Sequence, residues 1–346
     1  MKMLTERQKL ILGLVIQEYV ESAQPVGSKS LVQRYNLDIS SATVRNEMAA
    51  LAEMELLRQP HTSAGRVPTE EGYRYFVGQL MRRPDLPANT KHTITHQFYQ
   101  ARNDVDEWMR LAASVLAHQS RAAALVTAPI AQEARFKHME LILTTGRQVL
   151  MVLVLMSGRV IQQMLVLREA ITQEQLSATA DRINQVYYGQ NLQATNSLPI
   201  QLGELGEDIH RLVMAELKRT DNILAGEVYH DGWTNVLAEP EFAESESARR
   251  AFRVLEERPL LEDLLSQTVM NAEIGGVQVL IGGEGTWEEL SECSLVLARY
   301  GKQDLATGIL GVLGPIRMPY GNAISTVHFV AGLMSNLVVE TMTDET

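Results

Sequence analysis

Ser40-Ser41-Ala42-Thr43-Val44-Arg45-Asn46-Glu47-Met48-Ala49-Ala50-Leu51, residues 40–51, carries the clearest structural instruction in the chain. A serine at 40 or 41 can accept a hydrogen bond from an amide two or three residues on, which starts a helix. Val44, Met48 and Leu51 then fall at i, i+4 and i+7 and form one inward stripe. At 100° per residue the opposite face presents Ala42, Asn46 and Ala49, flanked by Thr43 and Arg45. Small residues let such a helix lie close to a partner, Arg45 suits the paired acceptors of guanine, Asn46 suits adenine, and hydroxyls suit phosphates or bases. The first-turn amides at Ser40 and Ser41 aim at a phosphate. The same spacing fits an exposed helix of a protein-binding winged helix, and spacing alone leaves both readings open.

Upstream, Thr5 and Gln8 have the spacing of a capping box, and Ile11, Leu12, Val15, Ile16 and Tyr19 make one apolar stripe, so a first helix is predicted to end near Ser22. Gln24-Pro25-Val26-Gly27 interrupts the chain, and Ser28 opens a short helix that buries Leu31, Val32 and Tyr35. Downstream, Arg58-Gln59-Pro60-His61-Thr62-Ser63-Ala64-Gly65-Arg66-Val67-Pro68 is polar and turn-rich between two extended pieces. It reads as a hairpin, hence a wing. Its Arg58, His61, Thr62, Ser63, Gly65 and Arg66 are candidates for phosphate or minor-groove contact, because the small residues admit close backbone approach and a narrow groove attracts arginine. An ordinary polar hairpin tip is the competing reading. Thr69 caps a further helix striped by Tyr73, Phe76, Val77 and Leu80.

Three motifs together resemble one family. Pro25-Val26-Gly27-Ser28, then Ser40 to Met48, then His61-Thr62-Ser63-Ala64-Gly65-Arg66-Val67-Pro68-Thr69, look like the heat-inducible transcription repressor HrcA family. The resemblance implies an α+β protein with an N-terminal winged helix-turn-helix and a GAF-like antiparallel-sheet domain carrying an inserted, mostly helical dimerisation domain. It implies a homodimer that binds double-stranded DNA at an inverted repeat, the CIRCE operator, upstream of chaperone operons, with activity modulated by the GroE chaperonin. It implies no cofactor.

The remaining chain is compatible with that plan. With 346 residues, 45% hydrophobic and 21% charged, it has room for two or three cores. From Ile94 onward, Phe98, Ala101, Val105, Trp108, Ala112 and Val115 keep heptad spacing, which predicts a long helix, packed on its own domain in preference to a second copy. Residues 121–168 read as a meander of strands, 172–258 as mostly helix, and strands return at 277–281, 294–300 and 308–313 before a closing helix at about 322–339. The expected domains are therefore 1–84 (winged helix), 85–120 (linker and long helix), 121–170 and 259–346 (one sheet domain in two parts) and 171–258 (the insertion).

Charge is uneven. The whole chain carries a net −11, whereas its first 84 residues hold 11 Lys+Arg against 9 Asp+Glu. A mildly basic front on an acidic body suits one nucleic-acid module joined to domains that avoid phosphate. The single Cys293 excludes an internal disulfide and suits a reducing cytoplasm. No secretory pattern follows Lys2, and the uncharged stretch Met318–Val339 holds enough polar residues to favour a buried helix over a membrane span.

Other chemistry is weak. Gly282-Gly283-Glu284-Gly285 lacks the spacing of a dinucleotide loop and puts a carboxylate where phosphate would sit; a sharp turn is expected. His92 and His96 have no further ligands in an arrangement that holds zinc, Cys293 has Glu292 beside it and no activating cation, and Glu239, Glu241, Glu244 and Glu246 read as a solvated run. No nucleophile, metal set or paired acid emerges, so an enzyme is not expected. The alternative within regulation is a metabolite-responsive winged-helix factor whose GAF-like domain binds a small molecule.

Overall fold

The computed structural model describes the chain apart from residues 1–2, 62–63, 82–84, 102–103, 131–132, 168, 170, 198–202, 222–225, 243–245, 270–271, 304 and 344–346. Helix α1 (Glu6–Ser22) begins with the capping box read from the sequence: the Thr5 hydroxyl accepts from the Gln8 amide at 3.2 Å, and the Gln8 side chain accepts from the Thr5 amide at 3.0 Å. Its buried Ile11, Leu12, Val15 and Ile16 form the floor on which α3 (Ser41–Glu53) packs, and α3 in turn carries α2 (Ser28–Tyr35). Strands β1 (Leu57–Arg58) and β2 (Val67–Pro68) pair antiparallel, Leu57 with Pro68 and Arg58 with Val67. The expected wing is present. Helix α4 (Glu70–Tyr75), capped by Thr69, continues into a π-helical turn over Phe76–Leu80 and completes the head.

The single long helix expected from residue 94 is two helices, α5 (Ala88–Gln100) and α6 (Val105–Ser120). The cause is local. Asp104 sits in extended backbone and its carboxylate accepts from the amides of Asp106 and Glu107 at 2.9 and 3.3 Å, so it caps a new helix. Both helices pack within their own unit, as the preferred reading had it: α6 lies on β3 (Ala123–Thr127).

Beyond β3 the structure departs from the expected boundaries. Strands β4 (Phe136–Thr145), β5 (Gln148–Leu155) and β6 (Val160–Val166) form a three-stranded antiparallel sheet of their own, followed by α7 (Gln173–Tyr187), α8 (Leu192–Ser197) and α9 (Gly203–Asp221). Strand β7 (Val228–Asp231), which falls inside the expected helical segment, pairs with β3. The chain thus divides into Met1–Ala128 with Glu227–Gly301 and Gly308–Thr346, and Pro129–Gly226 with Lys302–Thr307. The inserted unit starts and ends earlier than 171–258 and includes the meander, because β4 finds its partner in β5 and not in β3.

The second unit is held by one core. Met139, Leu141, Val149, Met151, Leu153 and Leu165 face Leu176, Ala180 and Ile183 of α7 and Ile209, Val213 and Leu217 of α9. Asn184 ties α7 to the edge strand, accepting from the Met139 amide at 2.7 Å and donating to its carbonyl at 3.0 Å.

In the first unit, α10 (Trp233–Leu237), α11 (Glu246–Glu256) and α12 (Arg258–Thr268) lead to β8 (Val277–Ile281), β9 (Cys293–Lys302) and β10 (Ala306–Pro315). The sheet order is β7-β3-β10-β9-β8. Strands β3 and β10 are buried along their whole length and β9 along all but its last residue, which explains their near-continuous apolar sequence. Helix α13 (Tyr320–Thr343) packs on α6, α5 and β8. Its segment Tyr320–Thr341 is long and apolar enough to cross a membrane, and half of its most apolar window is buried here.

Replacing Asp104 with Ala is expected to lower unfolding stability by about 1 kcal/mol, the usual worth of an N-cap carboxylate. Denaturant unfolding measures it, and an unchanged midpoint would place the cause of the helix break elsewhere.

Candidate nucleic-acid interface

Helix α3 presents the face expected of it. Ser40 is its N-cap, its hydroxyl accepting from the Thr43 amide at 3.1 Å and sharing a 2.9 Å hydrogen bond with the Thr43 hydroxyl. Val44, Met48 and Leu51 are buried against the head, while Ala42, Arg45 and Asn46 are exposed and Ser41, Thr43 and Ala49 are half-buried. Among the described residues Arg45 makes no salt bridge. Its guanidinium is therefore available to an acceptor outside the protein. Glu47, one position beyond Asn46, would repel a phosphate, but it is turned toward α1 and paired with Arg7 at 3.4 Å. Two further carboxylates, Glu18 and Glu21, are engaged by Arg34 at 2.7 and 2.5 Å. Glu18, Glu21 and Glu47 are thus held in ion pairs with other arginines, and none of the three pairs with Arg45.

The wing carries Arg58 and His61 in the open and Arg66 half-buried; Thr62 and Ser63 lie outside the described residues. Arg58 points away from Leu57, as alternation along a strand requires. Arg66 is doubly held. Its backbone exchanges two hydrogen bonds with Val26, at 2.8 and 2.9 Å, and its guanidinium donates to the Gln59 side chain. Gln59 in turn donates to the Ala64 carbonyl at 3.2 Å across the tip of the hairpin. Gly65 answers to this arrangement: a Cβ built there would overlap the Val26 carbonyl. The bare position is required by the turn before α2, a constraint separate from any approach to a ligand.

Sequence reasoning named α3 and the wing but missed Gln59 and Val26, which set the wing, and Lys29, exposed in the first turn of α2 beside Ser30. Proline and glycine around Val26 marked a turn, yet no local signal shows that this turn receives a strand 40 residues later.

The remaining candidates stay apart from this surface. Cys293 is buried and its thiol is pushed up to about 12, first by burial and then by Glu292, so it stays protonated. Among the described residues no group of three or more His, Cys, Asp or Glu side chains could hold a metal ion. Gly282-Gly283-Glu284-Gly285 is a sharp turn, with Gly282, Gly283 and Glu284 in the left-handed region.

Comparison with known proteins assigns both halves of the chain. Residues 3–81 match the family described as "Winged helix-turn-helix transcription repressor, HrcA DNA-binding", and residues 106–324 match "HrcA protein C terminal domain". The heat-inducible transcription repressor HrcA of Roseiflexus castenholzii is 44% identical over 345 residues, covering 97% of this chain and 95% of the relative. That of Thermomicrobium roseum is 41% identical over 347 residues, with coverage of 97% and 96%. A crystal structure of a hypothetical protein, 20% identical, covers 98% of both chains with a TM-score of 0.60, a likeness of fold.

Because the carbonyl of Val26 occupies the space beside Gly65, Gly65→Ala is expected to cost about 1–3 kcal/mol, in the range of overpacking. Limited proteolysis should show faster cleavage in the wing. Unchanged melting and cleavage would mean the wing relaxes freely around the added methyl.

Proposed function

The chain belongs to the HrcA family of heat-inducible transcription repressors, DNA-binding regulators and not enzymes, and from that premise we propose that it acts as a homodimer on an inverted-repeat operator. The observation that carries this reading is the exposed Arg45–Asn46 pair on a helix whose other face is buried, beside a wing bearing Arg58 and Arg66. In it, α3 enters the major groove, where Ala42, Thr43 and Ala49 permit close approach and Arg45 and Asn46 meet base edges. Ser40 and Ser41 lie at the phosphates with the first-turn amides. Arg58, His61, Thr62, Ser63, Gly65 and Arg66 follow the backbone or the neighbouring minor groove.

Dimerisation belongs to the inserted unit. On the face of its sheet turned from α7 and α9, cross-strand neighbours Ile142, Leu150 and Met164 form one apolar row, and Val154 and Val160 form another. Val160, Met164 and Val166 are each more than half exposed. A monomer gains nothing by presenting a branched and thioether-rich sheet face to water, and a second copy would cover it. Two-fold symmetry then matches the two halves of an inverted repeat of the CIRCE type, upstream of chaperone operons. Modulation by the GroE chaperonin acts on the competent fraction of repressor, to which apparent affinity is proportional. Helix α13 is a core helix of this cytoplasmic protein.

Arg45→Ala is expected to weaken specific binding by about 1–3 kcal/mol and relax base preference, whereas Arg66→Ala should mainly reduce the slope of affinity against salt by about one. Titrations at several salt concentrations measure both, and wild-type affinity in both variants would refute the assignment. Footprinting on chaperone promoters, with and without purified chaperonin, tests operator and partner together.

Ile142→Glu combined with Met164→Glu places two charges on the exposed row and should convert dimer to monomer in sedimentation. A dimer that survives both would move the interface elsewhere.

A further inference from the structure

The winged helix is not simply tethered to the body. Arg317, between β10 and α13, is buried apart from 13% of its side chain and reaches three acceptors at once. It donates to the carboxylates of Glu239 and Glu241, the latter also at 3.1 Å from Nη2, and through Nη1 to the Val20 carbonyl at 3.3 Å. Val20 lies in the last turn of α1, where carbonyls lack helical partners and the helix dipole is negative. The guanidinium therefore joins the body's own acidic turn to the end of the head's first helix. A lysine could not span all three, since the planar fork supplies the separate directions.

A second contact between head and body is made by α4. Arg74 of α4 donates to the Ile281 carbonyl at the end of β8 at 2.9 Å, while holding Glu70 at 3.0 Å and facing Glu284 at 3.9 Å. The Glu70 carboxylate occupies the space where a side chain at Gly282 would stand. The glycine turn that resembled a weak phosphate loop is the socket for this pair. Between the two arginines the rings of Tyr73 and Tyr320 pack at 5.8 Å, both fully buried, and Tyr320 is fixed by hydrogen bonds to Ser294 at 2.7 Å and the Ile316 carbonyl at 2.6 Å.

We propose that Arg317, with Glu239 and Glu241, is a positioning device that sets the operator half-site spacing the repressor accepts, by locking the reading head to the body. This rests on the proposed reading of a dimer on an inverted repeat and extends it to what measures the distance between the halves. Each added base pair displaces the second half-site by about 3.4 Å and turns it by roughly 35°. A head free on its linker follows such a change, because a flexible connection spreads effective concentration over many geometries. A locked head does not follow.

The test is a series of duplexes carrying two inverted copies of the half-site selected by the wild-type protein, with the spacer varied one base pair at a time, plus a duplex with a single half-site. Wild type, Arg317→Ala and the double variant Glu239→Gln/Glu241→Gln are titrated on each. The double variant keeps the side-chain volume and severs the ion pairs from the other side, so the clasp is tested even if Arg317→Ala folds poorly. Wild type should prefer one spacing by about tenfold or more over its neighbours, and the variants should flatten that preference to about threefold while holding wild-type affinity for the single half-site. Variants as selective as wild type, or a wild type indifferent to spacing, would overturn the proposal. Loss of single-site binding in folded variants would overturn it too, since the residues would then act on the reading surface itself. Failure of the underlying reading looks different: wild type would then bind no duplex selectively, or two half-sites no better than one, and the proposal would fall with it.

Discussion

Two backbone hydrogen bonds between Val26 and Arg66 make one surface of pieces that the sequence keeps apart. The turn before α2 and the return strand of the wing are 40 residues from each other, yet the bridge fixes the wing against the helix-turn-helix and so fixes where Arg58 and Arg66 stand relative to α3. Everything nearby serves that junction. Gly65 is bare because the Val26 carbonyl fills its side-chain space, and Gln59 spans the hairpin from the Ala64 carbonyl to the Arg66 guanidinium. A two-residue pairing such as β1–β2 is marginal alone. The Gln59 and Val26 bonds hold the described part of the wing in place, and order present before a ligand arrives removes a cost that a free loop would carry into binding.

What could be read from the sequence was what short-range chemistry decides. The caps at Thr5, Ser40 and Thr69 each depend on one side chain meeting an amide two or three residues away, and all three are in place. The buried stripe of α3 follows from helical periodicity, and with it the outward set Ala42, Arg45, Asn46. The break at Asp104 escaped because spacing stays in phase across it: Phe98, Ala101, Trp108 and Ala112 are buried on both sides of the interruption. Strand β7 escaped because Val228-Tyr229-His230-Asp231 is a four-residue edge, half-buried and without alternation.

The insertion shows the same limit at larger scale. A short apolar run in β3 and alternation in β4 identify them as strands but not whose neighbours they are. Leu125 pairs with Gly311, nearly the length of a domain away, while Leu141 pairs with Met151 across a tight hairpin. Both look alike over a ten-residue window. For the candidate interface, the consequence is that the exposed face of α3 was visible and the residues that hold the wing were not, since Val26 and Gln59 act through partners that only the fold brings near.

The charge imbalance acquires a structural meaning at the seam between head and body. A module with so slight an excess of positive charge gains little from nonspecific attraction to phosphate, so its affinity has to come from well-placed contacts and, in the dimer proposed above, from two heads together. That raises the demand on how firmly each head is held. Burying an arginine is unfavourable unless carboxylates and hydrogen-bond acceptors meet it. The acidic body provides them: Glu239 and Glu241 for Arg317, and Glu284 facing Arg74. Part of the negative charge that argues against nucleic acid when summed over the chain is what orients the part of the molecule that reads it.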